Sequence, residues 1–273
     1  MLQGKDNEEM NSFDQFKQES INVNLTEWST TERLARIQEV DDTVLQVSVK
    51  TNKRIEIINI TPKGIEPPVR DARDGVVYFG CKKKDKNGSV AVDYKLRVSN
   101  SKYREKYRGP HFMIYFDLNY KNFFLHDLVI GFGTFLKISH TLSLENDQLL
   151  NLGDSFILVN IIPRYESDNY PKLRLKAVNG NNISEIFYFN AQEFYLSSIV
   201  IGRSTRCQVY IDDSMISKQH ASIVFTADKK WVIIDGTANK NSLNGTWLYV
   251  SKDCKLEPGL EFKACESVFR VIK

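Results

Sequence analysis

The chain has 273 residues, of which 42% are hydrophobic and 26% are charged, so it is too long for one small module and too apolar for a disordered or fibrous protein. Its 37 Lys and Arg residues nearly balance its 34 Asp and Glu residues, which leaves a net charge of +3. This balance excludes a chain that is strongly basic or acidic throughout, so any electrostatic specialisation must be local.

Neither a membrane span nor a secretory signal is predicted. No apolar run reaches the roughly 18 residues that cross a bilayer, and the start MLQGKDNEEM lacks the basic and then apolar order of a signal peptide. We therefore expect a soluble intracellular protein, cytoplasmic or nuclear, without membrane contact.

The cysteines and histidines are scattered along the sequence without CxxC, HExxH or HxH spacing. They are Cys81, Cys207, Cys254 and Cys265, and His111, His126, His140 and His220. From this spacing we expect free thiols, with no metal and no cofactor.

Residues 1–40 are polar and rich in Asn, Gln, Glu and Ser, which is typical of a flexible tail. Within them, Ser29-Thr30-Thr31-Glu32 fits a capping box, in which a hydroxyl and a carboxylate satisfy the free amides at a helix start. Because Leu34, Ile37 and Val40 follow at helical spacing, we expect one short helix there.

From Val44 onward, short segments rich in β-branched and aromatic residues alternate with polar or Gly-containing turns. The segments are too close together for βαβ units, so an all-β, antiparallel sandwich is predicted over 41–162. The stretch PRYESDNYP at 163–171 has two prolines and predicts a linker. The strand pattern resumes over 172–273, which predicts a second sandwich in tandem.

Four elements follow in a fixed order in the second half: Gly202-Arg203, then Ser217-Lys218-Gln219-His220, then Asn244-Gly245-Thr246, and finally Leu256 with Gly259. Together they resemble the forkhead-associated (FHA) domain, and the resemblance covers about 172–273. It implies an eleven-stranded β-sandwich whose loops at one end bind a segment carrying phosphothreonine.

The residue types suit that chemistry, because a phosphothreonine carries about −1.5 to −2 charges and three acceptor oxygens. By the resemblance, Arg203 and Ser217 contact the phosphate, while Lys218 can add a point charge. Asn244 has an amide that both donates and accepts, which suits the main chain of an extended peptide. The resemblance assigns structural roles to Gly202, His220, Gly245 and Thr246.

Leu243 departs from the family pattern, which often has Thr or Ser before the Asn, so one hydroxyl contact to the phosphate is missing. Considered alone, Arg203 is also typical of a solvated surface arginine, Ser217 of a turn and Asn244-Gly245 of a hairpin turn. Family members commonly select partners by loop residues that read the side chain three positions after the phosphothreonine. Arg206 and Asn241 are the candidates here, and Arg206 would favour an acidic side chain.

Residues 44–160 can be laid over the same template, because Gly80, His111, Gly133-Thr134 and Leu152-Gly153-Asp154 occur in the same order. The first half thus resembles a divergent FHA domain. Its ligand positions have changed, since Cys81, Arg108 and Phe132 replace the Arg, Ser and Asn. Ordinary phosphothreonine recognition is therefore not expected in the first half. We expect this half to serve as a scaffold or a docking surface.

Residues 82–108 contain ten Lys or Arg residues and only three Asp or Glu residues, so positive charge is concentrated in this segment. The segment lies between Gly80 and His111, where the first half is longer than the second half between Gly202 and His220, so we call it the basic insertion. Its main candidates for a basic patch are Lys82, Lys83, Lys84, Arg104 and Arg108. Such a patch would suit an acidic protein or nucleic acid, and a solvated loop is the alternative.

These observations predict a non-catalytic adaptor that binds a phosphothreonine-containing protein in intracellular signalling. No P-loop, GxSxG or kinase signature is present, so no catalytic residue and no enzyme activity are expected. The alternative is a structural or nucleic-acid-docking protein that uses the basic insertion and keeps a vestigial phosphate site. A third hypothesis is self-binding through phosphorylated Thr30 or Thr31, and the oligomeric state stays open.

Overall fold

The computed structural model describes residues 31–40, 43–52, 54–70, 73–81, 91–100, 109–163, 170–179, 183–195, 197–238 and 240–273. Within these ranges, the chain forms one short helix and 21 strands. The predicted all-β sandwich class is therefore confirmed. Among the same residues, no helix is both long enough and apolar enough to cross a membrane.

One eleven-stranded sheet runs through the whole molecule. Its strands follow in the order β13 (Ser184–Asn190), β12 (Lys172–Val178), β11 (Ser155–Ile162), β10 (Gln148–Leu152), β18 (Thr246–Tyr249), β8 (Thr134–Lys137), β20 (Glu261–Ala264), β21 (Ser267–Val271), β1 (Leu45–Lys50), β2 (Ile55–Thr61) and β3 (Gly64–Glu66). All ten pairings within it are antiparallel.

Two five-stranded sheets complete the architecture. The first has the order β15 (Val209–Tyr210), β14 (Ser198–Gly202), β16 (Ala221–Phe225), β17 (Trp231–Asp235) and β9 (Leu142–Ser143). The second has the order β19 (Cys254–Lys255), β7 (Asn122–Asp127), β6 (Pro110–Asp117), β4 (Val76–Gly80) and β5 (Tyr94–Lys95). The alternation of buried and exposed positions along strands such as β1 directs one face of each sheet into a core.

The two hydrophobic cores do not follow chain order. One core packs Val47 and Phe112 with Phe262 and Phe269, and the rings of Phe112 and Phe269 lie 5.5 Å apart. The other core joins residues of β10 and β11 to residues of β12, β14, β16 and β17. Each core thus contains residues from both sides of the predicted linker at 163–171. The sequence did not predict this arrangement, because hydrophobic periodicity identifies strands but not the strands with which they pair.

We call residues 142–162 (β9 to β11) and 254–271 (β19 to β21) the exchanged segments. β11 pairs with β12, and β21 pairs with β1, so the end of each half lies against the beginning of the other. β9 and β19 likewise pair with β17 and β7 of the opposite halves. Described residues within 138–249 therefore form one core, and described residues within 45–137 and 250–271 form the other.

The pairing has an internal two-fold pattern centred on β8 and β18, which pair with each other at Leu136 and Leu248. Leu150 pairs with Leu248, and Phe262 pairs with Leu136 in the equivalent place. The turns agree too, because the amides of residues 138 and 250 donate to the carbonyls of residues 246 and 134, both at 2.9 Å. Each five-stranded sheet also has one parallel pair at an edge, β4 with β5 in one sheet and β14 with β15 in the other.

The helix α1 (Thr31–Gln38) lies where the capping pattern predicts a short helix. Ile37 is completely buried, and the guanidinium of Arg33 donates to the carbonyl oxygen of Phe116 at 3.0 Å. Residues 31–38 therefore pack against the end of β6. Ser29 and Thr30 of the predicted capping box lie outside the described residues.

Candidate functional site

Three loops at one end of the β14–β16–β17 sheet bring the predicted binding residues together. Arg203 follows the end of β14, and its backbone amide donates to the carbonyl of Ser217 at 3.1 Å. The hydroxyl of Ser217 accepts from the amide of Leu243 at 3.1 Å. The side-chain amide of Asn244 donates to the carbonyl of Met215 at 2.7 Å. Direct hydrogen bonds therefore join all three loops.

The side chains at this junction are accessible to a ligand. Arg203, Lys218 and Asn244 are exposed, and Ser217 is half-buried. With the residues that the structure describes, the side chains of Arg203 and Lys218 form no ion pair. The junction thus presents two uncompensated cations beside a hydroxyl and an amide, which is a suitable donor set for an anion.

His220 is completely buried beneath this junction and connects two of the loops. Its Nδ1 accepts from the amide of Ser217 at 3.0 Å, so the proton lies on Nε2, which faces the carbonyl of Gly245 at 3.1 Å. Burial lowers the pKa of His220, and its contacts with the Gly245 carbonyl and with Asp235 oppose that shift only in part. A neutral imidazole therefore supports the loops.

The two glycines of the motif occupy places that a side chain would not fit. A Cβ at Gly202 would collide with the carbonyl oxygen of Lys218, where β14 and the loop before β16 approach each other. Gly245 has φ of +76°, a backbone conformation that disfavours residues with a Cβ. Thr246 is buried, and its hydroxyl donates to Asp235 at 2.8 Å.

Two aspartates outside the sequence motif hold the loops in place. Asp235 accepts from both the hydroxyl and the amide of Ser242, at 2.6 and 3.1 Å. Asp213 is buried and accepts from the hydroxyl of Ser155 at 2.7 Å and from the amide of Asp154 at 2.9 Å. Ser155 lies 58 residues away in an exchanged segment, so no local sequence signal could have revealed this contact.

Leu243 is 88% exposed beside the site. The neighbouring hydroxyl of Ser242 does not substitute for the missing one, because it already bonds to Asp235 and accepts from the amide of Gly245 at 2.9 Å. Arg206 and Asn241, the predicted selectivity residues, are exposed on two of the same loops.

The equivalent end of the other five-stranded sheet has different chemistry. Cys81 follows β4 and is buried, and Phe132 is half-buried before β8. The predicted basic-patch residues Lys82, Lys83, Lys84, Arg104 and Arg108 lie outside the described residues.

Sequence spacing predicts no metal ligands, yet the fold brings three such residues together at this end. Candidate ligand atoms of Cys81, His111 and Cys265 all lie within 4.8 Å of one another. Spacing along the chain did not reveal this group, because Cys265 lies in the turn between β20 and β21 of an exchanged segment.

Comparison with known proteins agrees with the geometry of the second half. The family model of the FHA domain matches residues 199–263, a range that includes Arg203, Ser217, His220 and Asn244. A search of curated proteins finds no match to the chain. Residues 199–263 are therefore similar to the FHA domain, a non-catalytic module that binds phosphothreonine in signalling proteins.

Proposed function

We propose that this protein is a non-catalytic adaptor that binds phosphothreonine-containing partners through Arg203, Ser217, Lys218 and Asn244. The observation that carries the proposal is the convergence of these four side chains at one loop junction inside the segment that matches the FHA domain.

The donors at this junction suit a phosphate of about −1.5 to −2 charges. Arg203 offers a planar fork that can bind two phosphate oxygens, and Lys218 adds a second cation. The hydroxyl of Ser217 already accepts from Leu243, so its own proton can be donated to the phosphate. These three donors come from two loops that the backbone bond between Arg203 and Ser217 fixes in relation to each other.

Asn244 would read the peptide main chain. One of its N–H groups is used by the carbonyl of Met215, which orients the side chain. The remaining N–H and the carbonyl oxygen are able to pair with an extended peptide beside the phosphothreonine.

Arg206 and Asn241 are proposed to set partner preference, because both are exposed on loops that border the phosphate donors. Arg206 should favour an acidic side chain three positions after the phosphothreonine. An oriented phosphopeptide library would show this as enrichment of Asp and Glu at that position, and enrichment that is absent would remove the assignment.

We also propose that residues 45–137 with 250–271 form a divergent second FHA-like sandwich that no longer binds phosphothreonine. The support is the repeated pairing pattern around β8 and β18, together with the parallel pair β4 and β5 that mirrors β14 and β15. The buried Cys81 occupies the place of Arg203, so the forked donor is absent from that position.

The deciding experiment is calorimetric titration of the full chain with a phosphothreonine peptide pool, its phosphoserine counterpart and its unphosphorylated counterpart. The full chain is needed because Leu150 and Ile157, outside the matched segment, are completely buried in the same core as Trp231. We expect micromolar binding that is restricted to phosphothreonine.

Arg203→Ala should weaken this binding about ten- to hundred-fold, or ~1.5 to 3 kcal/mol, because a charge-assisted contact is lost. Arg36→Ala is the matched control, since Arg36 is an exposed arginine on α1 and its removal changes the net charge equally. Equal affinities for the two variants would show that the assigned pocket is wrong.

If no phosphothreonine peptide binds, the docking alternative gains support. Binding of nucleic acid or an acidic protein would then weaken steeply with salt, and it would disappear when Lys82, Lys83 and Lys84 are changed to Glu. Binding that is indifferent to salt and to these changes would count against that alternative.

A further inference from the structure

Cys81, His111 and Cys265 form a compact group of nitrogen and sulfur atoms. The Nδ1 atom of His111 lies 3.4 Å from the Sγ of Cys265 and 4.0 Å from the Sγ of Cys81. Cys81 and His111 are buried, and Cys265 is half-buried. The three residues come from the end of β4, from β6 and from the turn between β20 and β21.

These distances are close to those that a tetrahedral zinc ion requires. With Zn–S bonds of about 2.3 Å and a Zn–N bond of about 2.0 Å, tetrahedral angles place a sulfur and a nitrogen about 3.5 Å apart and two sulfurs about 3.8 Å apart. The two observed S···N distances lie on either side of the sulfur–nitrogen value, and the two sulfurs lie within 4.8 Å of each other. Shifts of a few tenths of an ångström would bring both sulfur–nitrogen pairs to the tetrahedral value.

The equivalent place in the other half lacks this chemistry. There the ring of His220 uses its Nδ1 to accept from the amide of Ser217. Arg203 stands in the position of Cys81, and the pairing of β10 with β18 places Gly153 in the position of Cys265. In the first half, the Nδ1 of the equivalent His111 lies within 4.0 Å of two thiol sulfurs, which are soft ligands.

We propose that Cys81, His111 and Cys265 bind one zinc ion. Two cysteines and a histidine match the ligand preference of Zn²⁺, and two thiolates neutralise its charge in a largely buried place. Binding releases the two thiol protons, so affinity rises with pH. A fourth ligand would be a water molecule or an external group, and Cys265 also lines a cavity of about 540 Å³ that provides access.

The ion would fasten an exchanged segment to the sandwich on which it lies. His111 and Cys265 are 154 residues apart in the chain. A ligand that binds only the folded arrangement stabilises it in proportion to the logarithm of its concentration. Zinc is therefore expected to raise the stability of the contact between the β20–β21 turn and the β4–β6 edge.

Cobalt titration of the full chain, reduced and freed of metal by a chelator, tests the site directly. Co²⁺ shows thiolate charge-transfer bands and tetrahedral ligand-field bands when cysteine and histidine bind it. We expect one equivalent of Co²⁺ to produce both sets of bands, one equivalent of Zn²⁺ to abolish them, and Zn²⁺ to raise the melting temperature by a few degrees.

Cys265→Ser and Cys81→Ser should each remove the charge-transfer bands at one equivalent and the thermal shift. Cys254→Ser is the matched control, because Cys254 lies in the same exchanged segment and is half-buried but is outside the group. Circular dichroism of the metal-free variants shows whether they fold. A wild-type chain without thiolate bands, or bands that persist unchanged in folded Cys265→Ser, would overturn the proposal.

Discussion

His220 is a buried titratable ring that hydrogen-bonds to two loops of the candidate site, through the amide of Ser217 and the carbonyl of Gly245. Its pKa is lowered by burial, so between its folded pKa and the usual value of about 6.5 the unfolded chain binds more protons than the folded chain. Stability therefore rises with pH in that window. The stability that the fold has with a neutral His220 is fully present above about pH 6.5, and it is lost as the pH falls through the pKa of His220 in the folded chain.

We predict that the ring signals of His220 in an NMR titration change with a midpoint below about 6.5, and that the free energy of unfolding decreases over the same interval. A midpoint for His220 at or above 6.5 would mean that the ring is not held neutral by burial.

At the level of single residues, the sequence predicted the motif but not its support. Arg203, Ser217, His220 and Asn244 are close in the chain to the turns that present them, so their order along the sequence was informative. The contact of Asp213 with Ser155 and the approach of Cys265 to His111 join distant segments. Such contacts depend on which strands pair, and spacing within a motif carries no information about that.

A carboxylate forms hydrogen bonds at one exchanged segment and another does so immediately before the second segment. Asp213 binds the turn of residues 154–155, and in the other half Asp253 accepts from the hydroxyl of Tyr115 and pairs with His126. Burial alone would raise the pKa of Asp253, but the hydrogen bonds from His126 and Tyr115 outweigh burial and lower it. The docking of both segments thus includes charge-assisted contacts in addition to apolar packing.

We predict that Asp213→Ala reduces the free energy of unfolding by about 2 to 3 kcal/mol, because it leaves the buried Ser155 hydroxyl and two amides without their acceptor. Urea denaturation should show a lower midpoint with an unchanged slope. Asp212→Ala is the matched control, since Asp212 is exposed and should change stability by no more than about 0.5 kcal/mol. Similar losses in both variants would contradict the docking role of Asp213.

Strands were predictable as elements, but their pairing was not. The alternation of apolar residues in segments such as LQVSVK and the apolar run in ASIVF predicted β1 and β16. The same apolar patterns would also be compatible with pairing of β12 with β21 of its own half. In the structure, β12 pairs with β11 instead. Because both arrangements bury the same faces, periodicity cannot distinguish them.

The exchange is a property of the whole molecule, and short connections favour it. Four residues, 138–141, join β8 to β9, and four residues, 250–253, join β18 to β19. Since β8 and β18 pair at the centre, an extended four-residue connection carries the chain across to the opposite sheet. Short connections at a hinge generally favour exchange of this kind, here between two halves of one chain.

A pair of engineered cysteines can test the exchange. Ser48 lies directly opposite Arg270 where β1 pairs with β21, and Cα atoms in such antiparallel pairs are about 4.5 to 5.5 Å apart, within the range for a disulfide. We predict that Ser48→Cys with Arg270→Cys forms this disulfide within a single chain, detected by peptide mapping of the monomer under oxidising conditions. In the internal two-fold pattern, Arg270 of β21 corresponds to Leu158 of β11, which pairs with Lys176 of β12. If the segments were not exchanged, Arg270 would therefore face Lys176. The matched control is Lys176→Cys with Arg270→Cys. A disulfide in the control but not in the first variant would show that each half keeps its own final strands. In that case the loops of the candidate site would lose the contact between Asp213 and Ser155. Arg203, Ser217 and Asn244 would still lie on their own sheet.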